Sequence, residues 1–278
     1  MCPEADFDRE KRLSIPLENV RMDLRTRLES DQQMSTAWII VPLLPIIGVV
    51  LLAVGFAIAL FSAISNLSSP TPTPASLSGF LAALFLFYLL AYILIPVIVA
   101  IYAIMFHKFI RRRNLHFNRQ IIINEDIMAL VKQLAGKRNL DVSIPINYLE
   151  RSLRDARFED SEKNAALYAI LSASTPLVGF YAYYFLMKDF FKHERREDMF
   201  FAGIASLLAT LGVPINLPHR TSPVPDRSFA VYFIASLFTV GIFTIYWIYA
   251  LVSDPNAHFR YQSIIEDTII AQVSAALA

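Results

Sequence analysis

Histidines are the residues of this chain best suited to chemistry, because a neutral imidazole ligates metal ions and exchanges protons near neutral pH. His116 and His258 lie in two related segments, NLHFNRQ and NAHFRYQ. In the second segment His258, Gln262 and Glu266 are spaced four residues apart, so on a helix they share one face. A histidine and a carboxylate on one face can bind a divalent metal ion.

A structural role is nevertheless the favoured interpretation of both segments. Glutamine is a poor metal ligand, and a shared site would require the two segments to meet. Each segment follows an apolar stretch closely, where the chain leaves lipid for water and imidazole or amide groups can bond freed backbone carbonyls. We predict no catalytic, cofactor-binding or metal-ligating residue and no cofactor. The predicted structural residues are His116, Phe117, Gln120, His258, Phe259 and Gln262.

The metal hypothesis has a defined geometric test. Convergence of His116 and His258 with Glu125 and Glu266 on one point would favour a metal site over the structural role. His193 and Glu197 are also four residues apart, but polar residues surround them, so we expect a solvated helix pair.

Other motifs that carry chemistry are missing from the sequence. It contains no Ser-His-Asp elbow, phosphate-binding loop, dinucleotide-binding turn or HExxH motif. The formal net charge of +1 argues against a nucleic-acid-binding face. The single cysteine, Cys2, cannot form an internal disulfide.

The distribution of charge predicts the elements that must position these residues. All 25 basic and 24 acidic residues lie outside four apolar stretches, each longer than the roughly 20 residues that span a bilayer as a helix. This pattern excludes a soluble globular enzyme and a disordered chain. The stretches are Ala37 to Asn66, Gly79 to Phe106, Asn164 to Met187 and Ser228 to Ser253.

We therefore predict an all-α integral membrane protein with four transmembrane helices, arranged as two parallel-repeat helical hairpins with amphipathic cytoplasmic helices. The second hairpin is expected to contain an inserted amphipathic helix, 188–213, lying on the membrane or on a partner, and a Pro-rich arm, 214–227. The predicted segments are an N-terminal cytoplasmic helix (1–36), a first hairpin (37–106), a cytoplasmic helical segment (107–163), a second hairpin (164–253) and a C-terminal cytoplasmic helix (254–278).

An internal duplication supports the two hairpins. The tetrapeptide SIPL at Ser14 recurs as SIPI at Ser143, and PIIG at Pro45 recurs as PLVG at Pro176, with nearly the same separation along the chain. The NLHFNRQ segment at Asn114 recurs as NAHFRYQ at Asn256, and each copy follows a predicted span. Apolar stripes follow both copies, and we expect the two helices that carry them to pack on each other or on the N-terminal helices.

The basic residues predict the orientation. Most of them lie on the side that holds both termini and the central segment, which places that side in the cytoplasm. Arg111, Arg112 and Arg113 directly follow the second predicted span, so we interpret them as a lipid-facing basic anchor.

The end of the chain resembles a known family. The segments GIFTIYWIY at Gly241 and DPNAHF at Asp254, with KHERRE at Lys192 and PDRSF at Pro225, resemble an uncharacterised archaeal multi-pass membrane family that contains a domain of unknown function. The resemblance covers roughly residues 188–270 and implies a helical membrane protein. It transfers no activity, ligand or catalytic residue.

The expected function is that of a non-enzymatic scaffold or accessory subunit in the cell membrane. Its expected partners are membrane lipids and other membrane subunits or a second copy, not nucleic acid. The alternative is a small channel for a neutral or weakly polar solute, working as a dimer and lined by residues such as Tyr88 and Tyr92. A metal-dependent membrane enzyme is the third hypothesis.

Overall fold

A computed structural model describes residues 16–68 and 74–277 of the 278-residue chain. The regular structure of these residues is helical throughout, which confirms the all-α prediction. In chain order the helices are α1 (16–25), α2 (Arg27–Ser30), a 3-10 helix (Thr36–Ile40), α3 (Leu43–Leu67), α4 (Pro74–Arg138), α5 (Ser143–Glu159), α6 (Ala165–Ser174), α7 (Pro176–Thr210), α8 (Phe229–Phe238) and α9 (Thr244–Leu277).

Six of these helices form three hairpins. In each hairpin the second helix is longer than the first and runs back alongside it, and it is called the returning helix below. The pairs are α3 with α4, α6 with α7, and α8 with α9. The returning helices α4, α7 and α9 all extend beyond their apolar segments into the part of the protein that contains residues 107–163. This part is called the charged half below, because it carries the charged side chains of these helices. Ring contacts across the three pairs join Phe56 to Phe87, Tyr168 to Phe185 and Phe229 to Trp247, with centroids 5.5, 5.5 and 5.7 Å apart.

Two helices in the described part of the chain are long and apolar enough to cross a membrane, namely α3 and the first half of α4. Helix α3 has 25 residues, and α4 has 65, so α4 continues far beyond its apolar half. Only 6% and 0% of their most apolar segments are buried inside the protein. A core helix of a water-soluble protein would bury these side chains, so their exposure indicates membrane association.

The other two apolar stretches fold differently from the prediction, so four spanning helices are not confirmed. Each forms a ten-residue helix, α6 or α8, followed by a sharp turn. Ten helical residues rise about 15 Å, half of a hydrocarbon core of about 30 Å. An extended Thr175 followed by Pro176 separates α6 from α7. Val240 and Gly241, with φ of 49° and 87°, separate α8 from α9.

This early turn also changes the location of residues 188–213. They do not form an independent inserted helix, because α7 runs without interruption from Pro176 to Thr210. The chain has already reversed at Thr175, so these residues return to the half that contains residues 107–163. The arm at 214–227 follows α7 and contains no helix.

The charged half is a helical bundle whose main apolar core is shared by five helices. The stripes of α4 and α9 both enter this core, as predicted, together with α5, α7 and Val20 of the N-terminal helix α1. The apolar stripe of residues 188–213 therefore packs inside this chain. Its buried members include Ile123, Ile127, Leu134, Ile146, Leu149, Leu153, Phe200, Ile204, Leu208, Ile265, Ile269 and Val273.

Helices α6 and α7 approach most closely at Gly179, which generates a stability prediction. A Cβ atom there would lie 2.9 Å from the backbone oxygen of Ser172, which cannot move without bending α6. We expect Gly179→Ala to destabilise the protein by about 1–3 kcal/mol, as overpacking commonly does. Thermal unfolding in detergent measures the change. Gly55→Ala is the control, because its Cβ would meet no atom within 4 Å. Equal melting temperatures for the two variants would contradict the prediction.

Candidate metal centre

Four side chains from the three returning helices converge at one point in the charged half. They are His116 on α4, His193 and Glu197 on α7, and His258 on α9, and their ligating atoms lie within 4.8 Å of one another. The Nε2 atoms of His116 and His258 are 3.1 Å apart. The Glu197 carboxylate lies 3.1 Å from Nε2 of His193 and 3.2 Å from Nε2 of His258. All four residues are at most 3% exposed.

Each histidine is oriented by its own carboxylate. Nδ1 of His116 lies 2.8 Å from Asp31, and Nδ1 of His193 lies 2.8 Å from Asp160. Nδ1 of His258 lies 2.9 Å from Glu194. A carboxylate accepts a hydrogen bond from Nδ1–H and so leaves the Nε2 lone pair free. Three lone pairs therefore point into the same space.

Each orienting carboxylate in turn binds an arginine. Arg119 lies 2.8 Å from Asp31, Arg196 forms an ion pair with Asp160, and Arg220 lies 2.7 Å from Glu194. These pairs balance the negative charge of the outer carboxylates. Glu197 is different, because its ionic contacts in the described part of the chain are with His193 and His258 alone. The inner group thus consists of three imidazoles and one carboxylate, Glu197, that is not paired with an arginine.

The sequence repeats this arrangement on successive helices. His-x-x-Arg occurs at His116 on α4 and at His193 on α7, and in each case both side chains bind the same aspartate. Those aspartates, Asp31 and Asp160, directly follow α2 and α5, and their separation along the chain equals that of the SIPL and SIPI repeats. Aspartates at matching places in the duplication therefore lie beside His116 and His193, although the duplicated segments themselves pair His116 with His258.

The donor atoms satisfy the requirements of a metal ion better than those of a hydrogen-bond network. Nε2 of His193 and both carboxylate oxygens of Glu197 are buried and make no hydrogen bond. Bonds of about 2.0–2.1 Å in a tetrahedral zinc site place the ligand atoms about 3.3 Å apart. Three of the donor separations, at 3.1, 3.1 and 3.2 Å, are close to that value, and the whole set lies within 4.8 Å. Outer carboxylates on ligating histidines are the usual accompaniment of a metal.

The electrostatics describe the metal-free state of the same site. Burial lowers the pKa of His116 to about 4, in spite of Asp31. Burial also opposes protonation of His193, but Glu197 and Asp160 outweigh it and raise the pKa of that residue to about 9. The pKa of Glu197 falls well below its usual range because the two adjacent histidines outweigh its burial. Without a metal, a proton on His193 stabilises the Glu197 carboxylate.

The structure brings together some of the sequence-predicted residues and separates others. His116 and His258 meet at their Nε2 atoms, and Phe117 and Phe259 are buried in one cluster with Phe190. The side chains of Gln120 and Gln262 donate to Asn124 and Glu266 on their own helices, at 3.0 and 3.3 Å.

The two glutamates proposed with these histidines do not join them. Glu125 pairs with Arg157 near the surface, and Glu266 pairs with Arg27 and Arg119. The one carboxylate of the converging group, Glu197, and its third histidine, His193, come instead from α7. The interpretation of His193 and Glu197 as a solvated pair was wrong, because both are buried. The shared His-x-x-Arg spacing is the sequence signal that could have identified them.

The basic anchor is also corrected. Arg111 is exposed, but Arg112 and Arg113 are 3% and 0% exposed and do not face lipid. Arg113 forms an ion pair with Asp189 at 2.9 Å, and Arg112 donates to the amide oxygen of Asn256 at 2.6 Å. The reason is that α4 does not end at the membrane surface but continues into the bundle.

Two asparagines of the repeated segments bind the backbone of the segments that precede the first two hairpins. Asn256 accepts from the Met34 N–H at 3.0 Å and donates to the Met34 oxygen at 2.8 Å. Asn114 makes the same two contacts with Lys163, at 3.3 and 2.7 Å. Met34 and Lys163 again have the separation of the SIPL and SIPI repeats. The duplicated segments thus fasten the chain next to the aspartates that orient the histidines.

Comparison with known proteins gives no match to a family model, a curated protein or a solved structure. The archaeal family therefore stays a prediction, and the site is interpreted from its own geometry.

The proton on His193 generates a pH prediction. That histidine is protonated below pH 9 in the metal-free protein and must be neutral to ligate, so acid favours the metal-free state. We expect affinity for Co²⁺ or Zn²⁺ to rise about tenfold per pH unit between pH 6 and 8 for each proton released. Competition with a chromophoric chelator at each pH measures this slope. A constant affinity over that range would contradict the prediction.

Proposed function

We propose that this protein is an integral membrane metalloprotein that holds one divalent transition-metal ion where its three hairpins meet. The observation that carries the proposal is the convergence of three Nε2 atoms and Glu197, with each Nδ1 atom held by a carboxylate. Imidazole suits zinc, iron, nickel and copper, whereas calcium and magnesium prefer oxygen ligands. The metal belongs to the first group.

In this proposal α3 and the first half of α4 cross the bilayer, and the α6/α7 and α8/α9 hairpins enter it to about half its depth. Apolar side chains at the two short turns support this arrangement, since Leu177, Phe238 and Val240 are 82, 85 and 85% exposed. No charged residue occurs in 164–187 or in 228–253. Lipid around these turns would cover the exposed apolar surface.

The same arrangement places all the charged residues of the chain on one side of the membrane. The connection between α3 and α4, residues 68–73, contains no charged residue. All 25 basic residues then lie on one side, which the positive-inside rule assigns to the cytoplasm together with both termini. The four-span prediction would place the basic residues of 188–196 on the outer side of the membrane. The present arrangement places them on the cytoplasmic side with the other basic residues.

The structure leaves the scaffold and channel hypotheses as they were. The apolar faces of α4 and α9 are buried within the chain. Tyr88 and Tyr92 are 67 and 77% exposed on α4, where a second copy could cover them in the dimeric channel. A scaffold or accessory role and a dimeric channel therefore stay predictions, while the metal site rests on observed geometry.

Metal content is the direct test of the proposal. Protein purified from membranes in detergent is expected to hold one transition-metal ion per chain, measured by plasma mass spectrometry. His258→Ala should lower affinity by more than about 100-fold, because even outer-shell changes cost 10- to 100-fold. His219→Ala is the matched control, since His219 is exposed. A wild-type protein that binds neither Zn²⁺, Fe²⁺ nor Co²⁺ would contradict the proposal.

Cysteine labelling separates the two topologies. In a Cys2→Ser background, Ser68→Cys reports on the connection between α3 and α4, and His219→Cys reports on the arm. We expect an impermeant reagent to modify them from opposite sides, with Asp141→Cys on the side of residue 219. Labelling of residues 68 and 219 from the same side would support the four-span topology instead.

A further inference from the structure

A small cavity adjoins the candidate metal centre on one side. Its volume is about 20 Å³, enough for one water molecule. Two of the four converging residues, His193 and Glu197, form part of its wall. A ligand held there would lie directly beside the inner group of donors.

The cavity is bounded by side chains suited to holding a polar molecule. Its lining includes the amides of Gln120 and Asn124, which are 1% and 6% exposed. Glu197 also lines it, and the ionic contacts of its carboxylate in the described part of the chain are those with His193 and His258. A polar cavity of this size favours one hydrogen-bonded water over an empty space.

Residues one helical turn beyond the histidines contribute to the wall of the cavity. The residue four positions after each histidine is Gln120 on α4, Glu197 on α7 and Gln262 on α9, one turn further along each helix. All three are buried, but only Gln120 and Glu197 line the cavity. Gln120 is a poor metal ligand, so the metal donors on this side of the centre are those of His193 and Glu197.

The outer side of the cavity lies between α4, α5 and α7. Its lining there includes the half-buried residues Ile121, Ser152, Ala156 and Arg196, so the cavity is not sealed by buried side chains alone. A volume of about 20 Å³ admits a water-sized ligand but not a bulky substrate.

We propose that the metal centre keeps one coordination position open to this cavity, occupied by an exchangeable water or a small monodentate anion. The inference rests on the proposed metal function. The three imidazoles and Glu197 already supply the four ligands of a tetrahedral site. The open position is therefore a fifth one, of the kind that catalytic metal ions use when they become five-coordinate. The centre then belongs to the class in which a metal acts as a Lewis acid on bound water or on a ligand of similar width.

The test uses the full-length protein loaded with Co²⁺, whose visible absorption reports coordination number, and sodium azide as the probe. We expect azide to shift the spectrum saturably. Asn124→Leu, which fills the cavity, should weaken azide binding by at least about tenfold while Co²⁺ affinity changes little. Asn147→Leu is the matched control, because Asn147 is exposed on α5 and does not line the cavity, and this variant should bind azide as the wild type does.

The outcomes separate the two proposals. A bound Co²⁺ ion with a four-coordinate spectrum that azide does not alter would overturn the open position and leave the metal site standing. Failure of the wild-type protein to bind Co²⁺ would overturn the metal function itself. If Asn124→Leu does not fold, Ala156→Leu on α5 narrows the outer side of the same cavity and should slow azide binding. Unchanged azide affinity and rate in whichever variant folds would contradict the inference.

Discussion

Burial of ionisable groups where three helices meet is the constraint on which the rest of the structure depends. Removing a charge from water costs several kcal/mol even after relaxation, so each buried group needs a partner at hydrogen-bond distance. His116, His193 and His258 therefore require three carboxylates, and those carboxylates require three arginines. Because a helix supplies few side chains at one level, these partners come from many segments of the chain.

The surrounding segments of the fold carry the carboxylates that bind the three histidines. The ends of α2 and α5 provide Asp31 and Asp160, and Asn256 and Asn114 fasten the backbone just beyond them. The third carboxylate has a different origin, because Glu194 lies on α7 beside His193. The Pro-rich arm secures it, with Arg220 on one oxygen and the Val224 N–H 2.7 Å from the other. The arm is thus part of the polar centre.

Much of the fold was predictable because its causes are local. Charge-free stretches predict apolar helices, and periodic stripes predict the core that α4 and α9 form with α5 and α7. The depth of each hairpin was not predictable from composition, because it depends on Thr175–Pro176 and on Val240–Gly241 reversing the chain after ten residues. The duplication correctly paired His116 with His258. It did not reveal His193. This histidine lies on α7 outside the duplicated segments, in a run of charged residues that is typical of a solvent-exposed surface.

The separation of the donors along the chain has a consequence for biosynthesis. His116 and His258 are 142 residues apart, and Asp31 precedes His116 by 85. Contacts of such range close late, since loop-closure entropy must be overcome before they form. During translation the first two hairpins supply His116, His193 and Glu197, and α9 adds His258 last. The proposed metal site would therefore be complete only after all three hairpins have been synthesised.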